Sequence, residues 1–299
     1  MLPPVIAGVD GSAESLAAAE WAAHEARRRE RPLRLVHARP WHPRGEDEPE
    51  EAVRLRLARR VLRQARERVR SVRPDVRVDD EQVEGPAAAG LLNAAEQAEL
   101  LVLGSRGLSG LTGILAGSVA LEVVTRATRP VVLVRAGEDT QDEHPPADGA
   151  GPPLRTGHRD VVLGVDVGDP CDEVIEFAFG AADLRHTRLR AVHTWRAPSP
   201  LGFGPGEIGL VAEPQRREEW RSFLTAVLQP WREKYPEVEV QETVTEGRAQ
   251  SALLRAATGA SLLVVGRHIT GNPLGPRTGP VAHAVVRHAD CPVAVVPHG

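Results

Sequence analysis

The chain has 299 residues, of which 41% are hydrophobic and 26% charged, a composition that suits a globular protein with room for two domains of about 150 residues. The formal net charge of −4, from 37 basic and 41 acidic residues, gives no overall basic field and argues against a nucleic-acid partner. No apolar run approaches the roughly 20 residues of a membrane-spanning helix, and residues 1–10 lack the features of a signal peptide. We therefore expect no membrane partner and a cytoplasmic location.

Short apolar runs alternate with helical patterns through the first half of the chain. Strands are predicted near residues 4–9, 33–38, 76–83, 100–103 and 131–134, and helices near 13–30, 50–72, 86–97 and 117–127. Continuous apolar runs such as 100–103 are typical of strands that are covered on both faces. The alternation favours a doubly wound parallel sheet, in which ligands bind beyond the carboxyl ends of the strands.

The second half of the chain repeats the first. Segment 5–10 (VIAGVD) recurs 156 residues later as 161–166 (VVLGVD). After a six-residue insertion the spacing becomes 162, so that 101–104 (LVLG) recurs as 263–266 (LVVG). We predict two domains, residues 1–137 and 159–299, joined by a linker over 138–158 that is rich in Pro, Gly and polar residues.

A glycine-rich loop follows the predicted strand at 100–103. Five glycines lie within residues 104–117, and a helix is predicted to begin near Ser118. Glycine lets the backbone approach a phosphate closely, and a helix start presents unpaired N–H groups and the positive end of the helix dipole. Ser118 could cap that helix or donate its hydroxyl to a phosphate oxygen. Composition alone also leaves open a loop without a ligand.

The spacing Gly104-x2-Gly107-x9-Gly117-Ser118 resembles the ATP-binding pattern of the universal stress protein family. The resemblance covers nearly the whole chain twice and includes Gly8-Val9-Asp10-Gly11-Ser12 and Gly85-Pro86. It implies two doubly wound, Rossmann-like α/β domains, each with a five-stranded and mainly parallel sheet. It also implies that the two halves pack against each other through their last strands, at 131–134 and 293–296.

The same resemblance implies which residues bind ATP. Asp10 and its neighbours would approach the adenosine, Ala38 would flank the base, and the glycine loop would hold the ribose and phosphates. The full set of implied ATP-binding residues is Gly8, Asp10, Ala38, Gly85, Gly104, Arg106, Gly107, Gly117, Ser118 and Val119.

Several of the residues singled out here also have simpler interpretations. Asp10 could cap the first helix, and Arg106 could be a solvated loop charge. His37 is predicted to be a hydrogen-bonded histidine of the core or its rim. The arginine-rich stretch 54–73 is interpreted as a solvated helix face, and Cys171 and Cys291 as reduced core thiols.

The second copy departs from the ATP-binding pattern. Ile269 stands where the first copy has Gly107, and Gly279-Pro280 replaces Gly117-Ser118. A β-branched residue resists positive φ angles, and proline supplies neither a backbone N–H nor a hydroxyl. We therefore predict one ATP site per chain, in the first half, while segment 271–275 is left open as a different phosphate loop.

The resemblance implies a nucleotide-responsive sensor or regulator in stress or dormancy physiology rather than an enzyme, and we expect at most weak ATPase activity. ATP is the expected ligand, with Mg²⁺ as a candidate companion ion and a protein partner of unknown identity. Self-association is left open. The alternative is a slow ATP-hydrolysing or nucleotidyl-transferring enzyme on the same fold. Asp10 is a candidate Mg²⁺ ligand, but no convincing general base accompanies the loop.

Overall fold

The computed structural model describes residues 2–39, 48–105, 117–137, 159–196, 213–269 and 278–299, so the predicted linker lies outside the described residues. The strands and helices of the first half are β1 (Val5–Gly8), α1 (Ala13–Arg28), β2 (Leu33–Arg39), α2 (Glu48–Val72), β3 (Val78–Glu84), α3 (Ala87–Ala95), β4 (Leu100–Ser105), α4 (Ser118–Arg126) and β5 (Val131–Arg135). Those of the second half are β6 (Val161–Gly164), α5 (Asp172–Leu184), β7 (Leu189–Trp195), α6 (Glu213–Lys234), β8 (Val240–Glu246), α7 (Ala249–Ala257), β9 (Leu262–His268), α8 (Pro280–His288) and β10 (Val293–His298).

The strands form a single ten-stranded sheet, in the order β3-β2-β1-β4-β5-β10-β9-β6-β7-β8. Within each half the pairings are parallel, as the alternation of strands and helices predicts. The last strands of the two halves pair antiparallel, with Val132 opposite Ala294. The five-stranded unit expected for each half is therefore present, but backbone hydrogen bonds join the two units edge to edge into one sheet.

Helices cover both faces of this sheet, and each face has its own apolar core. Helices α1, α2, α5 and α6 bury side chains in one core, and α3, α4, α7 and α8 bury theirs in the other. Both cores contain residues from both halves, because the paired last strands carry the apolar layers across the seam. Among the helices that the structure describes, none is both long and apolar enough to cross a bilayer.

The repeat extends to the details of the turns. Glu30 and His186 lie 156 residues apart, and they are the non-glycine residues with positive φ in the described chain, at 54° and 49°. In each turn the next residue donates its N–H to the carbonyl five residues earlier, Arg31 to Ala26 at 2.8 Å and Thr187 to Ala182 at 3.1 Å. This left-handed turn ends the first helix of each half and satisfies a terminal carbonyl.

The two cysteines differ in their surroundings. Cys291 is buried, which confirms one of the two predicted core thiols. Cys171 is partly buried and packs against the core from the N-cap position of α5, where its thiol donates to Glu173, so its prediction as a core thiol is confirmed only in part.

Helix α2 exposes most of its arginines, as its charge pattern predicts. Arg59, Arg63 and Arg70 are exposed, whereas Arg66 pairs with Asp80 of the neighbouring strand β3. Leu62, Ala65 and Val69 of the same helix lie in the core, so the face that carries most of the arginines is turned to solvent, although Val53 and Leu57 are exposed as well.

Candidate functional site

A cleft of about 260 Å³ lies at the carboxyl ends of β1, β2 and β4. In the sheet β1 has β2 on one side and β4 on the other, so the chain leaves β1 in one direction and returns to the opposite side. This reversal of strand order is the place where open α/β sheets bind their ligands. The starts of α1, α3 and α4 close the sides of the cleft.

One side of the cleft is apolar. It is lined by Val36 and Ala38 of β2, Ala87 and Leu91 of α3, and Leu103 of β4. Ala38, which the resemblance implies to flank the base, thus lies on the apolar side of the cleft. Small aliphatic side chains in this arrangement suit a flat, largely apolar ring better than a charged group.

The opposite side of the cleft is polar and is built on the first turn of α1. Asp10 follows β1, and its Oδ1 accepts hydrogen bonds from the Ser12 backbone N–H at 2.9 Å and from the Ser12 hydroxyl at 2.5 Å. Ser12 is the N-cap of α1, and its Oγ accepts the N–H of Ser15 at 3.2 Å. Asp10 thus does not cap the helix directly but orients the residue that does. Glu14 also lines this side.

The start of α4 forms the remaining polar edge. Gly117 is the N-cap of α4, Ser118 is its first residue, and Val119 is 36% exposed. All three line the cleft. A Cβ placed on Gly117 would meet no described atom within 4 Å, so the backbone here is approachable from the cleft. Unpaired N–H groups at a helix start are a ready site for an anion.

Two other glycines of the predicted set are needed for packing. A Cβ on Gly8 would lie 2.6 Å from Leu103 and 2.9 Å from Leu91, because α3 and β4 pack tightly against β1. A Cβ on Gly104 would lie 2.6 Å from the carbonyl carbon of Glu14. Gly104 therefore allows the first turn of α1 to approach β4, and this contact brings the α1 and α4 sides of the cleft together.

Gly8 and Gly104 line the cleft, and the remaining residues of the predicted set are Gly85, Arg106 and Gly107. Gly85 has a φ of 118° in the turn before α3 and does not line the cleft, although Ala87, two residues later, does. Because a positive φ favours glycine, the shape of this turn is enough to explain Gly85, and no ligand has to be invoked. Arg106 and Gly107 lie outside the described residues.

His37 has the structural role that was predicted for it. Its Nδ1 lies 2.7 Å from the carbonyl oxygen of Val9, which ties the end of β2 to the end of β1. The equivalent residue of the second half, His193, makes the same contact with Val165 at 3.1 Å.

The counterpart of the cleft in the second half has lost several of these groups. Asp166 remains, but Gly168 stands where Ser12 would be, so the carboxylate accepts a backbone N–H alone, at 3.0 Å. Cys171 replaces Ser15 and makes no side-chain capping bond. Pro280 opens α8 where Ser118 opens α4. Ile269 lies directly after β9 and has a negative φ, as expected for a β-branched residue.

A histidine also takes up space in the second half. A Cβ on Gly266 would lie 2.9 Å from Nε2 of His298, so the imidazole covers the glycine that corresponds to Gly104. His268 packs edge-on against it, with ring centroids 5.3 Å apart. Burial, with the nearby charge of His268, lowers the pKa of His298. The imidazole is therefore held mainly in its neutral form near neutral pH.

Sequence reasoning missed the serine network and Glu14. Ser12 and Ser15 were not among the candidate residues, although a serine directly before a predicted helix is an N-cap signal that could have identified Ser12. In the part of the chain that the structure describes, no three His, Cys, Asp or Glu residues cluster in a way that could hold a metal ion.

Comparison with known proteins places these features in a family. The model of the Universal stress protein family matches residues 1–135 and again residues 157–297. A universal stress protein of Mycolicibacterium smegmatis is 34% identical over 305 residues, covering 98% of this chain and 96% of the relative. One from Mycobacterium tuberculosis is 30% identical, with 97% and 94% covered. The crystal structure of a universal stress protein from Archaeoglobus fulgidus shares the fold, with a TM-score of 0.72, 16% identity, and 99% and 98% of the two chains covered.

Proposed function

The chain belongs to the universal stress protein family, and we propose that it binds ATP in the cleft of its first half and acts as a nucleotide-responsive regulator. The observation that carries the proposal is the start of α4. Gly117 and Ser118 line a cleft whose other side is apolar, and a Cβ on Gly117 would meet no described atom within 4 Å. A ligand with a flat ring at one end and a polyanion at the other fits this division.

The apolar side supports an adenine base. Leu91 and Leu103 line it, and the small side chains of Ala38 and Ala87 leave room for a ring to lie flat between β2 and α3. Such a pocket would favour a nucleotide over inorganic polyphosphate, because most of the apolar surface buried on binding would belong to the base.

The polar side supports the ribose and phosphates but also carries negative charge. Asp10 and Glu14 both line it, and two carboxylates would repel an unaccompanied triphosphate. Mg²⁺ commonly binds through one or two carboxylates together with phosphate oxygens. We therefore propose the magnesium complex of ATP as the ligand, with Asp10 as the residue that would face the ion.

The proposal is binding with at most weak turnover. Two hydrogen bonds from Ser12 fix Oδ1 of Asp10, and the proposal assigns this carboxylate to the ion rather than to proton transfer. ATP can regulate the protein if two conformations differ in their affinity for it. A slow hydrolase or nucleotidyltransferase on this fold would instead show turnover that disappears in an Asp10→Asn variant.

Paired variants in the two halves test the site. In nucleotide-stripped protein, Gly117→Ala/Ser118→Ala should weaken MgATP binding by about tenfold or more, because loss of a phosphate contact costs roughly 1.5–3 kcal/mol. The matched variant Gly279→Ala/Pro280→Ala alters the equivalent positions of the second half and should leave affinity unchanged. Equal effects of the two variants, or none from the first, would contradict the proposal.

A further inference from the structure

A buried arginine of the second half binds the end of a helix in the first half. Arg267 lies in β9 and is 5% exposed. Its Nη1 donates to the carbonyl oxygen of Thr125 at 3.2 Å, and its Nη2 donates to that of Ala127. Thr125 lies in the last turn of α4, and Ala127 is the C-cap of that helix. The guanidinium therefore caps the carboxyl end of the helix whose first residues line the cleft.

The antiparallel seam explains this contact. Because β5 and β10 run in opposite directions, the carboxyl ends of the strands in one half lie beside the carboxyl ends of the helices in the other. The same relation occurs in reverse, since Arg135 at the end of β5 donates to the carbonyl oxygen of Arg287, in the last turn of α8, at 2.5 Å. Each half thus supplies an arginine to the corresponding helix of the other.

The contact with Arg267 is chemically specific. The last carbonyls of a helix have no partner within the helix, and the negative end of the helix dipole attracts a cation. Burial lowers the pKa of Arg267, and among the described residues no carboxylate offsets that effect. The carbonyl oxygens of α4 are therefore what stabilises the charge, and the guanidinium in turn holds those carbonyls in place.

Helix α4 is short enough for its two ends to move together. It has nine residues and is about 13 Å long, so a shift or tilt at Ala127 reaches Gly117 and Ser118. We propose that Arg267 is a positioning residue for the phosphate-binding end of the first-half site, so that this site depends on the second half. The proposal rests on the proposed ATP function. It gives the half with the altered loop a role in binding without requiring a nucleotide of its own.

Two variants that replace an arginine by the uncharged, flexible side chain of methionine separate this role from general stabilisation of the seam. Arg267→Met removes the cap of α4, and Arg135→Met removes the cap of α8 and serves as the matched control. The Kd for MgATP should rise about tenfold in Arg267→Met and stay within about twofold in Arg135→Met. The Kd for adenosine should stay within about twofold in both, because α4 faces the phosphates. Arg267→Lys retains a cation at the helix end and should recover part of the ATP affinity.

Amide hydrogen exchange of the nucleotide-free proteins gives a second readout that does not depend on ATP. Exchange of residues 121–126, the first of which donates its N–H to the carbonyl of Gly117, should be faster in Arg267→Met than in Arg135→Met or the wild type. If the wild type fails to bind ATP, the proposed function fails, whereas faster exchange would still support the positioning of α4. Unchanged ATP affinity in a folded Arg267→Met, parallel losses in both methionine variants, or unchanged exchange would overturn the inference.

Discussion

Glu25 and Arg185, which belong to different halves of the chain, form an ion pair whose two side chains have no exposure to solvent. The Arg185 Nη2 lies 2.7 Å from Oε2 of Glu25. Burial alone would raise the pKa of Glu25, but the charges of Arg185, Arg29 and Arg28 together hold it well below its usual value of 4.5. The pair joins α1 to the end of α5 on the sheet face opposite the arginine caps of α4 and α8.

Removing one partner of this pair should be costly. Glu25→Gln leaves Arg185 buried without its counter-ion, and we expect the free energy of unfolding at pH 7 to fall by roughly 3–5 kcal/mol. Chemical denaturation measures this. Replacing both partners, as Glu25→Met/Arg185→Met, should cost less than the single change. If the free energy of unfolding falls less in Glu25→Gln than in the double variant, the pair does not hold the halves together.

The same pair predicts a pH dependence. Because the folded-state pKa of Glu25 is depressed, its contribution is complete above pH 4.5, the ordinary carboxyl value, and is lost as pH falls below it. The difference in unfolding free energy between wild type and Glu25→Gln should therefore be constant near neutral pH and shrink in acid. Denaturation curves recorded between about pH 7 and pH 3 would show this, and a difference that grows in acid would be inconsistent with it.

Gly104 and Gly117 should respond differently to the same substitution. Alanine at Gly104 places a Cβ against the backbone of Glu14 and Ser15, so we expect Gly104→Ala to destabilise the protein by about 1–3 kcal/mol. Gly117→Ala meets no described atom but places a poorer residue at the N-cap of α4, so it should cost less than Gly104→Ala, about 0.5–1 kcal/mol. Unfolding free energies of the two variants test this, and equal losses would refute the packing role assigned to Gly104.

The thiol of Cys171 should be slow to react although it is partly accessible. Burial, together with the hydrogen bond to Glu173 and its charge, raises the pKa of Cys171 to about 11. At pH 8 only about one thiol in a thousand is then ionised, and the thiolate is the reactive form. In a Cys291→Ala background, alkylation should be slow at pH 8 and accelerate up to about pH 11. Glu173→Gln should make it faster at pH 8, and rapid alkylation of the unmodified site at that pH would contradict the assignment.

The sequence predicts the positions of the strands and helices well because each half satisfies its own hydrophobic pattern. Buried runs such as 100–103 lie within strands of the parallel sheet, and the predicted helices match α1 to α4 to within a few residues. The glycines were harder to interpret. A pattern cannot distinguish a glycine that admits a ligand from Gly104, which admits the neighbouring helix backbone.

Contacts across the seam were beyond sequence reasoning. Arg267 and Thr125 are 142 residues apart, and their contact depends on the antiparallel pairing of β5 with β10. The resemblance implied that the last strands meet but gave no register, so neither arginine cap nor the Glu25–Arg185 pair could be identified. The hydrogen bonds of Ser12 and Ser15 at the start of α1 are local, by contrast, so Ser12 could have been predicted as an N-cap from the sequence.

The central claim is a single ATP site per chain, in the first half. Isothermal titration of MgATP into nucleotide-stripped, full-length protein tests it most directly, because the stoichiometry is measured along with the affinity. The account predicts one ATP bound per chain. Two equivalent ATP molecules per chain, or no binding at any accessible concentration, would contradict it.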